Sequence, residues 1–325
     1  MHLSYKIRRT DNFDGTISKE LSMCLKGICC ILVGLHHFAR IAIEQQGSTN
    51  IFYILLASQG GNIGVGLFFF LSGYGLMESA RTRTPSVKEI IIKRYWKLLW
   101  PILVVNILYL IICSIQGSSW LNSSKTLIWA ILDFKSVDPV LWFIEVLFIC
   151  YAIFYASLKI GSERQRDGFM YMGGTLLILF FMLTRNELHW HYTNIPMFFL
   201  GVFYSQHRIH IAKRLRIRPL IYFCSAVLLL TAIGWFQFHL MWARLGVCIT
   251  VLSALLLFVR HFALEVDGRT YLHSISYEYY LSHNKLLTLW GGVNLISFLI
   301  LSILMAFILN RIFSIPSKTA YRQLN

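Results

Sequence analysis

The residues of this sequence best suited to chemistry lie in one apolar stretch, Leu21 to Glu44. The stretch carries Lys26 near one end and the pair His36-His37 towards the other. In an α-helix, Lys26 and His37 lie almost on the same face and about 16 Å apart along the axis, whereas His36 is about 100° away and is interpreted as a packing neighbour. An imidazole titrates near neutral pH and takes a proton from a hydroxyl group. This helix face therefore indicates acid–base chemistry at His37, with the cation of Lys26 further along it.

The composition indicates an integral membrane protein. The chain of 325 residues is 56% hydrophobic and 14% charged, and its mean hydropathy is +0.59, which sets it apart from soluble domains. The seven cysteines fall in apolar runs without metal-ligand or disulfide spacing, and they are interpreted as small hydrophobic side chains. The lysines and arginines that give the net charge of +15 lie mostly in connectors on one side of the membrane. Neither a metal ion nor nucleic acid is therefore expected as a partner.

The apolar runs predict an all-α bundle of about ten transmembrane helices in a single membrane-embedded domain, residues 1–325. The predicted helices are 21–44, 60–79, 98–115, 138–159, 169–184, 193–206, 219–238, 241–259, 270–289 and 291–313. The segment 121–134 is too short and punctuated to span the bilayer and is predicted to be interfacial or re-entrant on the outer side. The segment 193–206 is also short, and it is predicted to be tilted or to lie in a thinned part of the bundle.

The distribution of lysine and arginine predicts how the bundle is oriented. When the N-terminus is placed in the cytoplasm, most of the 30 basic residues fall in inside segments, above all in the connector 81–97. The positive-inside rule then places both termini in the cytoplasm, and the even number of helices agrees. The sequence therefore predicts a multi-pass protein of the cytoplasmic membrane, with residues 1–20 and 314–325 as cytoplasmic segments.

Three ionisable residues, His37, Glu145 and His283, reach a comparable depth in this arrangement. Helix one ascends to His37, helix four descends past Glu145, and helix nine ascends from residue 270 to His283, about 20 Å along its axis. A charged side chain in hydrocarbon costs roughly 2.5 kcal/mol or more, so an ionisable residue there is usually paired or functional. The pattern favours a polar site in the outer half of the membrane. The alternative is three separate residues at three helix ends.

Five short motifs follow one another in an order that resembles a known family. They are KGICCILVGLHHF (26–38), GNIGVGLFFFLSGYGL (61–76), KRYWKLLWP (93–101), LWFIEVLFICYAIFY (141–155) and SISYEYYLSH (274–283). The series resembles the acyltransferase family 3 membrane proteins, which acylate hydroxyl groups of cell-surface glycans. The resemblance covers nearly the whole chain. The glycines of the second motif, independently of the family, predict a helix that packs closely against a neighbour.

The resemblance implies roles for individual residues. The family carries an Arg, ten residues and a His on its first helix, and Lys26 and His37 stand at the matching positions. Lys26 departs from the pattern, since it keeps the charge but lacks the planar fork of arginine. An alternative is that Lys26 only reaches to the lipid headgroups. Arg94 and Lys97 match the family's basic pair, for which the resemblance implies a role in binding acyl-CoA.

The resulting hypothesis is a membrane O-acyltransferase that moves an acyl group, expected to be acetyl, from cytoplasmic acyl-CoA to a sugar hydroxyl near the outer face. His37, Glu145 and His283 are the predicted catalytic residues; Lys26, Arg94 and Lys97 are predicted to hold the donor. His37 either takes the hydroxyl proton or first accepts the acyl group itself. Two other hypotheses stay open at this point: a transporter or flippase of a glycan-linked lipid, and a non-catalytic scaffold.

Overall fold

The chain is almost entirely helical wherever its structure is described. The computed structural model describes residues 4–9, 13–117, 137–185, 190–214, 242–267, 274–290 and 294–322. The first half of the chain contains β1 (Ser4–Arg9), α1 (Lys19–Glu44), α2 (Ile51–Leu55), α3 (Gly61–Thr82), α4 (Val87–Ile90) and α5 (Lys97–Ile115). The chain continues with α6 (Trp142–Ser157), α7 (Glu163–Thr184), α8 (Trp190–Thr193), α9 (Ile195–Arg214), α10 (Ala243–His261), β2 (Phe262–Asp267), α11 (Ser276–Trp290) and α12 (Leu295–Arg322).

Short irregular helical turns join some of these helices. Wide π-helical turns at Leu56–Gly60 and Ile91–Trp96 lead into α3 and α5. A 3₁₀ turn at Pro139–Leu141 leads into α6, and the Asp138 side chain caps it by accepting a hydrogen bond from the Val140 amide at 3.2 Å. A proline in the first turn after an aspartate is a typical helix start, because proline has no amide hydrogen to leave unpaired there.

Seven helical segments of the described chain are long and apolar enough to cross a membrane. They are Lys19–Glu44, Ile51–Thr82, Val87–Ile115, Pro139–Ser157, Glu163–Thr184, Ala243–Arg260 and Leu295–Phe313. An all-α, multi-pass membrane architecture is thereby confirmed. The predicted total of about ten spans and the cytoplasmic location of both termini remain predictions.

The predicted helices correspond closely to the observed ones, with some exceptions. The helix predicted at 193–206 is longer, because α9 continues to Arg214 through residues that contain neither glycine nor proline. The connector before α3 contains α2, which was not predicted. The predicted helix 219–238 and the interfacial segment 121–134 lie outside the described residues.

The short antiparallel pairing of β1 with β2 was also not predicted. Ser4 is opposite Asp267 and Arg9 is opposite Phe262. Since the two strands are more than 250 residues apart in sequence, no local pattern indicates that they pair.

The chain divides into two compact units. The first comprises Met1–Cys29, Gln59–Thr84 and Val146–Thr270; the second comprises Cys30–Ser58, Pro85–Glu145 and Tyr271–Asn325.

The first unit is built on the close packing of α3 against α9. A methyl group added at Gly73 would overlap with the carbonyl oxygen of Phe198, and one added at Gly201 would overlap with that of Phe70. Two helix backbones come this close only where small residues face each other. The close approach predicted from the glycines of the second motif is therefore confirmed at Gly73.

Buried polar contacts hold the same unit at both ends. The Asn194 amide donates to the Asn62 side chain at 3.1 Å, and Asn62 donates to the Arg244 carbonyl at 2.9 Å. At the opposite end of α3, the Tyr204 hydroxyl donates to the Gly15 carbonyl at 2.8 Å. These bonds satisfy polar groups that would be costly to bury alone.

The second unit surrounds α11, and the directions of its helices follow from their contacts. The α1 residues Gly34, His37 and Ala42 meet successively later residues of α11, which makes the two helices parallel. The helix α5 is also parallel to α11, since the Tyr277 hydroxyl donates to the Leu98 carbonyl and Lys285 lies over the Tyr109 ring.

The remaining helices of this unit run the other way. The helix α12 is antiparallel to α11, because Asn310 reaches the start of α11 and Phe298 packs with Leu287 near its end. The chain entering α6 is antiparallel as well, since Asp138 contacts Asn284 whereas Val140 contacts Tyr280. These directions agree with the up and down order predicted for helices one, three, four, nine and ten.

Candidate active site in the second unit

The helix α11 positions most of the candidate site. Its sequence, SYEYYLSHNKLLTLW, places Tyr279 and His283 four residues apart, and therefore on one face that packs against α1. Asn284 and Lys285 are turned towards the start of α6. One helix thus presents two different polar surfaces to two neighbours.

His37 of α1 and His283 of α11 are in direct contact. The centroids of their rings are 5.4 Å apart, and the rings are tilted by 37°. His283 is fully buried, whereas His37 is only partly buried. Of the pair, His37 is therefore the more accessible imidazole.

The hydrogen bonds of His283 define how its ring is protonated. Its Nδ1 lies 2.8 Å from the Tyr280 carbonyl oxygen and 3.2 Å from that of Tyr279. Because a carbonyl only accepts, Nδ1 must carry a hydrogen. The other nitrogen, Nε2, is buried and has no hydrogen-bond partner among the described residues. In a neutral ring, this Nε2 is a free acceptor.

His36 has a different environment from His37. Its Nδ1 lies 3.1 Å from the Leu56 carbonyl oxygen, in the wide turn that leads into α3. The His36 ring meets the His37 ring edge-on, with centroids 4.9 Å apart. His36 therefore links α1 to the chain after α2, as expected of a packing neighbour.

The Tyr279 side chain lies between α1 and His283. Its ring is nearly parallel to the His283 ring, with centroids 5.8 Å apart and an interplanar angle of 6°. A methyl group added at Gly34 would overlap with the Tyr279 hydroxyl oxygen, so glycine is required there for this packing. The hydroxyl is buried and has no hydrogen-bond partner among the described residues.

A buried ion pair adjoins His283, and sequence reasoning missed it. The Lys285 Nζ atom lies 2.6 Å from Asp138 Oδ2, and the side chains are 6% and 2% exposed. Asn284 donates to the other carboxylate oxygen at 2.8 Å. Both charged groups act electrostatically on His283. The two residues are 147 positions apart in the sequence, and no sequence pattern pairs them.

Glu145, the third predicted catalytic residue, lies in the first turn of α6 and is partly buried. The carboxylate that is bonded into the polar cluster beside His283 is that of Asp138, seven residues earlier in the chain. The catalytic role of Glu145 stays a prediction.

The predicted donor-binding pair lies at the start of α5 in the same unit. Arg94 is in the wide turn Ile91–Trp96 and is partly buried, whereas Lys97 is exposed. Lys97 interacts electrostatically with Glu278 of α11, and Tyr277 is bonded to the neighbouring Leu98 carbonyl. His283 is five residues beyond Glu278, which corresponds to about 8 Å along the axis of α11.

Lys26 belongs to the first unit. Its ammonium lies 5.7 Å from the centroid of the Phe68 ring of α3, in cation–π geometry. The side chain is partly buried. Lys26 therefore has a protein partner that an arginine would also suit.

The described part of the chain contains no group of three or more His, Cys, Asp or Glu side chains arranged to hold a metal ion. The rings that lie against His37 are those of His36 and His283, and the paired carboxylate of Asp138 acts on His283.

Comparison with known proteins agrees with the motifs. A family model described as an acyltransferase domain, of acyltransferase family 3, matches residues 23–316. The match begins just before Lys26 and ends within α12, so that it includes every helix of the candidate site. No curated protein and no solved structure matches the chain. The chain therefore belongs to acyltransferase family 3 and is a membrane acyltransferase.

Proposed function

We propose that this protein is an O-acetyltransferase that uses acetyl-CoA from the cytoplasm to acetylate a hydroxyl group of a cell-surface glycan or a related sugar. The observation that carries the proposal is the contact between His37 and His283. The partly exposed imidazole of His37 can act as a base, and the buried imidazole of His283 can orient it. Membership of an acyltransferase family favours this function over the transporter and scaffold hypotheses.

His37 is the proposed general base. A sugar hydroxyl is a poor nucleophile at neutral pH, so its proton must be removed as its oxygen attacks the thioester carbon. His37 takes that proton, and the carbonyl π electrons move to oxygen to give a tetrahedral intermediate. When the intermediate collapses, the carbon–sulfur bond breaks and the leaving thiolate takes the proton from His37. The products are the sugar ester and free coenzyme A.

His283 is proposed to orient His37 through its free Nε2. A neutral imidazole acts as a base through one nitrogen only if the other carries the hydrogen, and that hydrogen needs an acceptor. The backbone carbonyls of Tyr279 and Tyr280 keep the hydrogen of His283 on Nδ1, which leaves Nε2 to accept from His37. This arrangement resembles the way a buried acceptor orients the catalytic histidine in serine hydrolases.

Arg94 and Lys97 are proposed to bind the phosphate groups of the donor. Coenzyme A carries several phosphate charges, and cations near the end of a helix bind such groups by charge-assisted hydrogen bonds. The position of Lys97 beside the beginning of α11 supports a donor whose acyl end extends along α11 towards His283. Lys26 is proposed as a further cation for the donor. The cytoplasmic membrane, with both termini inside, is the proposed location.

The proposal is tested by replacing His37 with alanine. His37→Ala should abolish O-acetylation of the surface glycan while the amount of protein in the membrane stays the same, with NMR of the isolated glycan as the measurement. His36→Gln is the matched control, because glutamine keeps a polar group for the Leu56 carbonyl, and it should retain activity. Full retention of O-acetyl groups in the His37→Ala strain would refute the mechanism.

A second measurement separates an acyltransferase from a transporter. The sample is inverted membrane vesicles from cells whose surface glycan is O-acetylated by the protein, so that the acceptor is supplied with the enzyme. With acetyl-CoA added, wild-type vesicles should release coenzyme A thiol, and vesicles with the His37→Ala variant should not. Translocation of a glycan-linked lipid without any loss of thioester would instead support the transporter.

A further inference from the structure

Two buried polar atoms on the same face of α11 have no hydrogen-bond partner in the part of the chain that the structure describes. They are the Tyr279 hydroxyl oxygen and His283 Nε2, in side chains that are 2% and 0% exposed. Leaving a buried polar group unsatisfied destabilises a folded protein, and native proteins contain few such groups. One of the two atoms carries a donor hydrogen, and the other is an acceptor. Because His283 Nε2 is proposed to accept from His37, the Tyr279 hydroxyl is the donor that stays available to a bound group with an acceptor atom.

The position of the Tyr279 hydroxyl relates it to His37. It lies against Gly34, which is three residues before His37 and on the same side of α1. The Tyr279 ring is also nearly parallel to the His283 ring that contacts His37. The hydroxyl is thus about one helical turn from His37, held there by contacts on both sides.

The other tyrosines of the same motif differ from Tyr279 in this respect. The Tyr280 hydroxyl donates to the Val140 carbonyl at 2.6 Å, and the Tyr277 hydroxyl donates to the Leu98 carbonyl. Both fasten α11 to a neighbouring segment. The Tyr279 hydroxyl makes no such bond to any described residue, although Tyr279 is as deeply buried as Tyr280.

We propose that Tyr279 is a catalytic residue whose hydroxyl donates a hydrogen bond to the thioester carbonyl oxygen of the acyl donor. This inference rests on the proposed function, in which His37 removes the proton of the acceptor hydroxyl. As the hydroxyl oxygen bonds to the carbonyl carbon, negative charge develops on the carbonyl oxygen. Tyr279 keeps its own proton and stabilises that charge; the proton taken by His37 returns to the leaving thiolate.

The energetics predict which kinetic constant depends on Tyr279. A hydrogen bond to a developing oxyanion is stronger than one to a neutral carbonyl, so it stabilises the transition state more than the bound substrate. Removing one such donor typically lowers the turnover number by about 100- to 1000-fold. The KM for acetyl-CoA should change little, because the contacts proposed for the donor phosphates are unchanged in a Tyr279 variant.

Tyr279→Phe in inverted membrane vesicles tests the inference. Release of coenzyme A thiol from acetyl-CoA should show a kcat about 100-fold below wild type with a KM close to that of wild type. The melting temperature of the purified variant should be equal to or above that of wild type, because phenylalanine removes an unsatisfied buried hydroxyl. If the Tyr279 hydroxyl only stabilised the fold, the variant would instead have a lower melting temperature and a kcat close to that of wild type.

Tyr204→Phe in the first unit is the matched control. Tyr204 is also buried, but its hydroxyl is bonded to the Gly15 carbonyl at 2.8 Å. This variant should have a lower melting temperature and an unchanged kcat. A Tyr279→Phe variant with the wild-type kcat, while His37→Ala is inactive, would overturn the role of Tyr279 and leave the proposed function standing. A wild-type protein that releases no more thiol than His37→Ala would overturn both.

Discussion

The ammonium of Lys285 and the carboxylate of Asp138 form an ion pair at 2.6 Å in the interior of the second unit, two residues along the chain from His283. The remaining donors of the ammonium are also occupied, since Nζ lies 3.2 Å from the Leu281 carbonyl oxygen and over the Tyr109 ring. Because Lys285 is fully engaged by the protein, its role is to fasten α11 to the start of α6. It thereby fixes the position of His283.

Removing one charge of this ion pair should destabilise the protein more than removing both charges. Lys285→Met alone leaves the Asp138 carboxylate buried without its counter-charge, and Asp138→Asn alone leaves the ammonium. Each single change should destabilise the protein by about 3–5 kcal/mol, whereas the double variant should recover most of that loss. Thermal unfolding in detergent is the measurement. Losses that simply add in the double variant would show that the two charges are not coupled.

The helices could be predicted well from the sequence, because each buries an apolar run of a length that the bilayer dictates. The contact between His37 and His283 could be anticipated in part. The rise per residue places both side chains at one depth, although only the structure shows that their rings touch.

Other parts of the site could not be predicted, because they depend on which surfaces face each other. Asp138 and Lys285 are 147 residues apart in sequence, and nothing local pairs them. Likewise, the sequence SYEYY (276–280) does not indicate which tyrosine hydroxyl donates to a backbone carbonyl. The Tyr280 hydroxyl meets the Val140 carbonyl, whereas that of Tyr279 lies against Gly34 of α1 and meets no acceptor among the described residues.

Arg94 and Lys97 should affect the affinity for the donor and not the chemical step. Replacing either with alanine should raise the KM for acetyl-CoA by about tenfold, since a charge-assisted hydrogen bond contributes roughly 1.5 kcal/mol or more. The kcat should stay near the wild-type value. Thiol release from vesicles over a range of acetyl-CoA concentrations is the measurement.

Two controls identify the phosphates as the groups recognised. Lys88→Ala removes an exposed cation from the same connector and should leave the KM unchanged. With acetylpantetheine, which has no phosphate, the Arg94 and Lys97 variants should be indistinguishable from wild type. An equal rise in KM with both donors would assign these residues to folding or to another part of the donor.

Lys26 should tolerate arginine but not alanine if its charge serves the donor. Arginine keeps the charge and suits the face of Phe68 at least as well as lysine does. Lys26→Arg should therefore retain the wild-type KM for acetyl-CoA, and Lys26→Ala should raise it. Lys19→Ala, an exposed cation two turns earlier on α1, is the control and should have no effect. Equal donor affinity in the arginine and alanine variants would remove Lys26 from the donor site.

Gly34→Ala should impair the protein, because the added methyl group would occupy the place of the Tyr279 hydroxyl. The ring of Tyr279 would have to move, and with it the His283 ring that lies parallel to it. An alanine in a helix is otherwise about 1 kcal/mol more favourable than a glycine, so helix propensity predicts the opposite sign. Gly75→Ala in α3 is the matched control, since the space around Gly75 is open. The melting temperature should fall for Gly34→Ala and rise for Gly75→Ala, and only Gly34→Ala should lose thiol release. A Gly34→Ala variant that is more stable than wild type and fully active would show that Tyr279 can leave this position without consequence.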